Sequence, residues 1–347
     1  MEASAEAGAA AAAAARTLRW AGRAGHLGGV PRAAVFAAVG AFAKAYASLL
    51  NTTTVHNADA LLRLVSSRFP GTPLLTVSNH MSTIGSKYQL AVECLERMLI
   101  VVSVYGGSQQ CWPWPLKHLL SPTCSSAEVV HANLRLDDPL MWGFKGFPTS
   151  DAKLGRWVLT AEDICFKNVV MSYMFRLGKC IPITRGGGIY QEHMNEALDV
   201  LKNGGWLHTF PEGKIAQDDH PIRRLKWGTA SLIVRAPITP IVLPIVHSGF
   251  EKVMPEKSFF GRRPPVPLCS KKIDIIVGEP IEFDMPSLKQ EASMVPHDSS
   301  SERKGWPTIT PDGLDEAAQR WLYQKMSDKV QSVMERLRKT VVNMKQH

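Results

Sequence analysis

Through the middle of the chain, short apolar runs alternate with amphipathic stretches. Residues 74–77, 157–159, 180–184, 206–210, 238–246 and 273–277 are rich in aliphatic and aromatic side chains and lie next to turn formers, so each reads as a buried strand. Between residues 190 and 201 the apolar positions fall at Met194, Leu198 and Leu201, which is helical spacing. After residue 313 the positions Leu314, Ala318, Leu322, Met326, Val330, Val333, Leu337 and Val341 recur every three or four, predicting a terminal helix over about 314–344 with a basic flank. Pro, Ser and charge dominate 285–313, so that stretch reads as a surface loop. Strands alternating with helices predict an α/β fold: one domain, a mixed sheet flanked by helices.

The N-terminal part reads differently. Residues 1–15 contain ten alanines, and Arg16, Arg19 and Arg23 follow around Trp20. Residues 1–30 therefore read as a low-complexity basic tail, or as a weak mitochondrial presequence against which Glu2 and Glu6 count. Residues 33–50 are apolar, but the uninterrupted run stops at Lys44 after eleven residues. Spanning a bilayer takes roughly 20 residues, so the stretch suits a helix lying in the membrane interface, or an ordinary core helix.

Composition narrows the classes. With 347 residues, 45% hydrophobic and 20% charged, the chain can bury a sizeable core, and disorder, collagen and coiled coil are excluded as global descriptions. The six cysteines, at 94, 111, 124, 165, 180 and 269, form no CxxC pair, which fits a reducing compartment or a cytosol-facing surface. A net charge of +9 points to phosphate in some form. Arg223, Arg224 and Lys226 with Trp227 make a basic cluster, yet no nucleic-acid module accompanies it, so nucleic acid is not expected as a partner.

Several stretches carry chemistry. Val77-Ser78-Asn79-His80 puts a histidine at the mouth of a strand, where it can act as a general base or simply be a satisfied structural residue. The strand at 180–184 ends in Arg185 followed by Gly186, Gly187 and Gly188, which lets backbone and a guanidinium approach a phosphate or carboxylate, or makes a flexible turn. Phe210-Pro211-Glu212-Gly213-Lys214 places a carboxylate in a tight turn at another strand's end. Thr239 to Pro244 is a strand with proline near both ends.

In this order, TVSNHMST, LDDPLMWG, ITRGGGIYQE, HTFPEGK, RRLKWGTASLI and TPIVLPI resemble the glycerolipid acyltransferase family. The resemblance is to its tafazzin branch, including the plant tafazzin-like lysophospholipid acyltransferases described as N-acylphosphatidylethanolamine synthases. It covers most of residues 17–283 and implies that family's α/β fold. By resemblance, His80 would be the general base, Asp137 would orient its imidazole, and Arg185, Gly186, Gly187, Glu212 and Gly213 would hold the glycerophosphate part of the acceptor. The implied reaction moves a fatty acyl group onto a lysophospholipid or onto the amine of phosphatidylethanolamine. The donor would be acyl-CoA or a phospholipid, with no metal and no cofactor. The alternatives are a CoA-independent transacylase remodelling cardiolipin and a catalytically dead lipid-binding protein. The expected location is peripheral on the plasma membrane or endoplasmic reticulum, or on a mitochondrial membrane.

One departure matters. His-X4-Asp needs an aspartate at position 85, which here is Gly85. Without residues 84–135, the chain reads NHMST-LDDPLMWG, with four residues between His80 and Asp137. The domain then comprises 31–83 and 136–345, interrupted by 52 residues that read as a retained intron or a gene-model artefact, or as a genuine loop. Lengthening the connection costs only roughly 2 kcal/mol of closure entropy. Lost precision in the catalytic pair is the larger concern, so this form is expected to be impaired.

Overall fold

The apolar runs pair into one sheet. The computed structural model describes residues 17–81, 137–213, 217, 220–256, 264, 267–296 and 306–346. Residues 84–135 thus lie outside the described residues. The strands are β1 (Thr52–His56), β2 (Leu74–Ser78), β3 (Trp157–Ala161), β4 (Cys180–Ile183), β5 (Trp206–Thr209), β6 (Ile241–Ser248) and β7 (Lys272–Val277), in the order β1-β7-β6-β2-β5-β3-β4. All neighbours are parallel except β6 and β7. Strand β2 is central and wholly buried, as a parallel strand covered on both faces should be.

Helices cover both faces. Leu75, Val77, Leu207, Val242 and Val246 face α6 (Glu192–Lys202), α7 (Trp227–Arg235) and the long α10 (Glu316–Gln346), which buries Leu322, Met326, Val330 and Met334. Each of these side chains contributes roughly 1.5–3 kcal/mol of apolar burial. Leu74, Trp206, Leu243 and Ile275 face α2 (Ala58–Ser66) and the short α3 (Asp137–Met141). The two-residue alternation of a strand therefore puts Thr76, Ser78 and His208 on the α3 face and Val77 and Thr209 on the other.

Helix α1 (Val30–Lys44) runs on into a π-helical turn, Ala45–Leu50, so the helical stretch is longer than the eleven-residue apolar run suggests. By length and composition alone the 25 residues His26–Leu50 suffice to cross a membrane. Left-handed Leu27 and Gly28 break the stretch, so its regular part starts at Val30. Arg32, Val35, Phe36, Gly40, Ala43 and Ala47 are buried at helical spacing, whereas Val30, Leu49 and Leu50 are exposed. One stripe docks against the domain and the other faces outward. The docking is close: a Cβ on Gly143 would lie 2.1 Å from the Ala43 carbonyl oxygen, so only glycine fits there. Ahead of α1, the stretch read as a basic tail is tied down from Thr17, whose carbonyl accepts from the buried Arg176 Nε at 2.8 Å.

Two further elements differ from expectation. The predicted loop over 285–313 begins with a helix, α9 (Met285–Ser293), started by Pro286 and capped by Asp284, whose side chain accepts from the Ser287 amide at 3.1 Å. Strand β1 went unread because its Thr-rich sequence lies at the sheet edge with little apolar signal. The remaining helices are α4 (Glu162–Cys165), α5 (Val169–Leu177) and α8 (Phe250–Val253).

Candidate active site

In an open parallel sheet, ligands bind beyond the carboxyl ends of the strands. The register levels those ends: Val77 lies beside Thr209 and Ser78 beside Ile245, while β3 and β4 pair from Val158–Cys180 to Ala161–Ile183. His80, Arg185 and Glu212 follow β2, β4 and β5 directly, so the fold gathers three separate sequence motifs along one edge.

His80 is held from its neighbours. The Asn79 side chain clamps β6 twice, donating to the His247 carbonyl and accepting from the His247 amide, both at 2.9 Å. On the other side, Gln217 donates to the Met81 carbonyl at 2.8 Å. The His80 amide donates to the Glu212 carboxylate, and its ring lies on Phe210 with centroids 4.6 Å apart. His80 is 3% exposed.

Asp137 opens α3, but its side chain lies outside the described residues. The next residue, Asp138, was not singled out from the sequence, and it anchors the helix. Its buried carboxylate takes a two-pronged contact from Arg156, with Nε at 3.0 Å, and a hydrogen bond from Trp142 Nε1 at 3.2 Å. Burial alone would push the Asp138 carboxyl up. The Arg156 guanidinium, the nearby His208 and the hydrogen bonds from Arg156 and Trp142 outweigh it and hold the group below the usual carboxylate range.

An aromatic run joins the two halves of the motif. Trp142 meets His208 edge-on at 5.2 Å, His208 meets Phe210 at 4.7 Å, and Phe210 carries His80. His208 is wholly buried, its ring nitrogens between Thr76 Oγ1 (2.8 Å) and Ser78 Oγ (3.2 Å). Ser48 also donates to the Gly143 carbonyl at 2.9 Å, fixing the exit of α3 to the π-helical turn that follows α1. These contacts pin both flanks of residues 84–135 through described residues alone.

Two hollows flank strand β3. The first is apolar, about 170 Å³, between α1 and the sheet, with Phe36, Val39, Phe147, Met174 and Phe175 in its wall and Asp138, Trp142 and Arg156 at one side. Cys165 and Cys180 also line it, and burial pushes the Cys180 thiol up, which keeps it protonated. The second hollow is a cleft of about 620 Å³, and Arg185, Gly186 and Gly213 line it as the sequence suggests. Arg185 is exposed and pairs with Asp163 at 3.3 Å, a contact worth little at the surface. The Gly187 amide closes the turn onto the Thr184 carbonyl at 3.1 Å.

Glu212 lies apart from that lining. Its buried carboxylate accepts from the backbone amides of His80 and of Arg223 at 3.3 Å, and so braces the His80 turn to the next segment. Burial pushes the Glu212 carboxyl up, against the pull of those two amides and of the Arg223 and His80 charges. Gly213 has φ +66°, and a Cβ there would lie 2.8 Å from Lys226 Nζ, so the glycine makes room for a lysine at the cleft. Lys226 and Arg224 in the cleft were visible in the sequence only as part of a basic cluster. Helix α7 starts beside them without a side-chain cap. Among the described residues, no group of three or more His, Cys, Asp or Glu side chains is placed to hold a metal ion.

An acyltransferase family model matches residues 129–248, which include α3, Arg185 and Glu212 but begin beyond His80. The chain is 52% identical over 328 residues to the N-acylphosphatidylethanolamine synthase of Arabidopsis thaliana, covering 93% of this chain and 97% of that protein. The chain belongs to the acyltransferase family. It is therefore an acyltransferase, with α3 and the strand-end turns as parts of its fold. Tafazzin of Drosophila melanogaster is a more distant relative, 31% identical over 264 residues, or 76% of this chain and 54% of the fly protein. The resemblance read from the motifs is thus confirmed at the level of the family, and the mixed seven-stranded sheet agrees with it.

Proposed function

We propose that this acyltransferase moves a fatty acyl group onto a lysophospholipid hydroxyl or the amine of phosphatidylethanolamine. The observation that carries the reading is the pairing of an apolar hollow with a basic cleft across one strand, the cleft-lining Phe210 stacking on His80. A fatty acyl chain suits the first and a phosphate suits the second. His80 removes the proton as the acceptor oxygen or nitrogen attacks the acyl carbonyl. Asp137 orients the imidazole and stabilises its positive charge. The tetrahedral intermediate collapses with cleavage of the bond to the leaving group, which takes the proton back from His80. Arg185 and the glycine turn hold the acceptor phosphate, while Glu212 supports the His80 loop. Proton transfer through His80 calls for no metal and no cofactor. The donor is acyl-CoA, with lipid-to-lipid transfer as the second reading, the one that the motif resemblance to the tafazzin branch implies.

Helix α1 with its π-helical turn suits attachment at a membrane surface, docked by one stripe and exposing Val30, Leu49 and Leu50. The plasma membrane or endoplasmic reticulum is the proposed location, and a mitochondrial membrane the alternative. Residues 84–135 are proposed as an insertion that lowers activity, and the clasp around Asp138 limits how much. The test is acyl transfer from palmitoyl-CoA to a lysophospholipid by the full chain, by a chain lacking residues 84–135, and by His80→Ala. The expected result is that His80→Ala loses on the order of 10²–10⁴-fold in rate, and that the shortened chain exceeds the full one. Transfer undiminished in His80→Ala would overturn the assignment of the base. Liposome binding without turnover in both chains would favour a lipid-binding protein without catalysis.

A further inference from the structure

Three cations enter the larger cleft, Arg185, Arg224 and Lys226, with no carboxylate among its described lining residues. All three are exposed. Two tryptophans join them, Trp227 at the start of α7 and Trp306 from the segment before α10. A glycerophosphate carries a single phosphate, which the proposed function gives to Arg185 and the glycine turn. A second pair of cations beside two indoles is more than that ligand uses.

The indoles are held in place. Trp306 packs edge-on against Tyr190 (5.5 Å) and Trp227 (6.1 Å) and is tilted against Tyr323 (6.0 Å). Arg320 sits over its ring at 5.8 Å. Trp227 donates from Nε1 to Gln324 at 3.0 Å, and Arg224 reaches the same side-chain oxygen at 3.2 Å while lying over the Trp227 ring. Helix α10 thus fixes both rings and one guanidinium in a single wall. Both tryptophans stay partly exposed.

We infer that this wall binds the nucleotide end of the acyl donor, the adenine on the indoles and its phosphates on Arg224 and Lys226. The chemistry decides between ligands. Arginines lying over the rings repel an ammonium head group, whereas a polyanion with a flat base uses the charges and the rings together. The inference rests on the proposed acyl transfer and makes Trp306 the residue that favours a nucleotide-bearing thioester over a phospholipid donor.

The experiment compares palmitoyl-CoA with S-palmitoyl-pantetheine, which lacks the nucleotide, at fixed lysophosphatidylethanolamine, for the full chain and for Trp306→Ala and Trp306→Phe. Trp306→Ala should raise KM for palmitoyl-CoA about tenfold, the equivalent of ~1.4 kcal/mol of stacking, with Trp306→Phe in between. KM for the pantetheine donor and for the acceptor should not move. Equal losses with both donors, or a change confined to the acceptor's KM, would overturn the inference. Binding of adenosine 3′,5′-bisphosphate, followed by tryptophan fluorescence, provides a separate readout. Saturable binding by the full chain that weakens in Trp306→Ala supports the wall even if no donor is turned over, in which case the acyl-transfer reading alone fails. No binding sinks the wall itself.

Discussion

The two hollows on either side of β3 are built in opposite ways. The charges of the basic cleft come from turns that immediately follow β4 and β5 and from the start of α7, and only Trp306 reaches it from far along the chain. The apolar hollow is assembled from α1, which lies about a hundred residues ahead of the rest, and from α3, the loop before β3 and α5, brought together by packing. A polar site can be carried by local motifs, because each turn supplies its own donors. An apolar chamber has no local signature, since any aliphatic side chain can serve as wall. One strand separates the chambers, and the junction consists of the Asp138–Arg156 contact on one side and the His80–Phe210 stack on the other.

The strongest way to break that comparison is to remove the junction. Asp138→Asn should cost about 3–5 kcal/mol, because it leaves the Arg156 guanidinium without its charge partner in a mostly buried place. Urea unfolding measures the loss, and Asp138→Asn with Arg156→Met should recover part of it. The sign with pH follows from the lowered carboxyl: its stabilisation is full above the unfolded value near 4 and fades as pH falls through the lower folded value. Acid unfolding of the wild type should therefore be steeper than that of the variant, and equal slopes would exclude Asp138 as the group.

Filling one chamber alone sharpens the contrast. Val39→Trp places an indole in the apolar hollow, and we expect kcat/KM for a C16 donor to fall about tenfold relative to a C8 donor, while KM for the phosphate-bearing acceptor holds. An unchanged C16-to-C8 ratio would place the acyl chain elsewhere.

An effect that appears only with pH concerns Lys179, whose ammonium donates to the Gly155 carbonyl at 2.7 Å and lies over the Phe36 ring. Burial, with Arg32 and Arg156 nearby, lowers this lysine to about 8. A lysine lowered in the folded state binds fewer protons there than when unfolded between about 8 and 10.5. Stability should therefore rise with pH across that window, by at most ~1.4 kcal/mol per unit. Lys179→Met should flatten the slope in urea unfolding at pH 8 to 10, and a parallel slope would assign it to other groups.

What could be read in advance follows the same division. His80, Arg185, Gly186 and Gly213 stand at strand ends, the last three in turns rich in Gly or Pro, and the fold brings all four to one edge. Asp138 and Arg156 could not be paired from sequence, because 18 residues separate them and nothing local aims one at the other. An adjacent carboxylate pair, Asp137-Asp138, was the available signal, and Asp138 is the one whose side chain anchors the helix. Glu212 was assigned toward the substrate by resemblance, and its backbone partners became visible only once β2 and β5 were neighbours. Helix α9 escaped because a nine-residue helix with one buried methionine and one buried alanine carries little periodicity.

The hold of α10 on the cleft has a consequence for synthesis. Besides Gln324, this helix accepts the Ile222 amide on Glu335 at 2.9 Å and donates from Gln331 to the Ile222 carbonyl at 2.8 Å. The segment bearing Arg224, Lys226 and Trp227 is made about a hundred residues before the helix that fastens it. On the ribosome the sheet can pair and α3 can dock while this wall still lacks its support. The turns that follow β4 and β5 emerge well before α10, so the wall bearing Arg224, Lys226 and Trp227 gains its support only once that helix has been made.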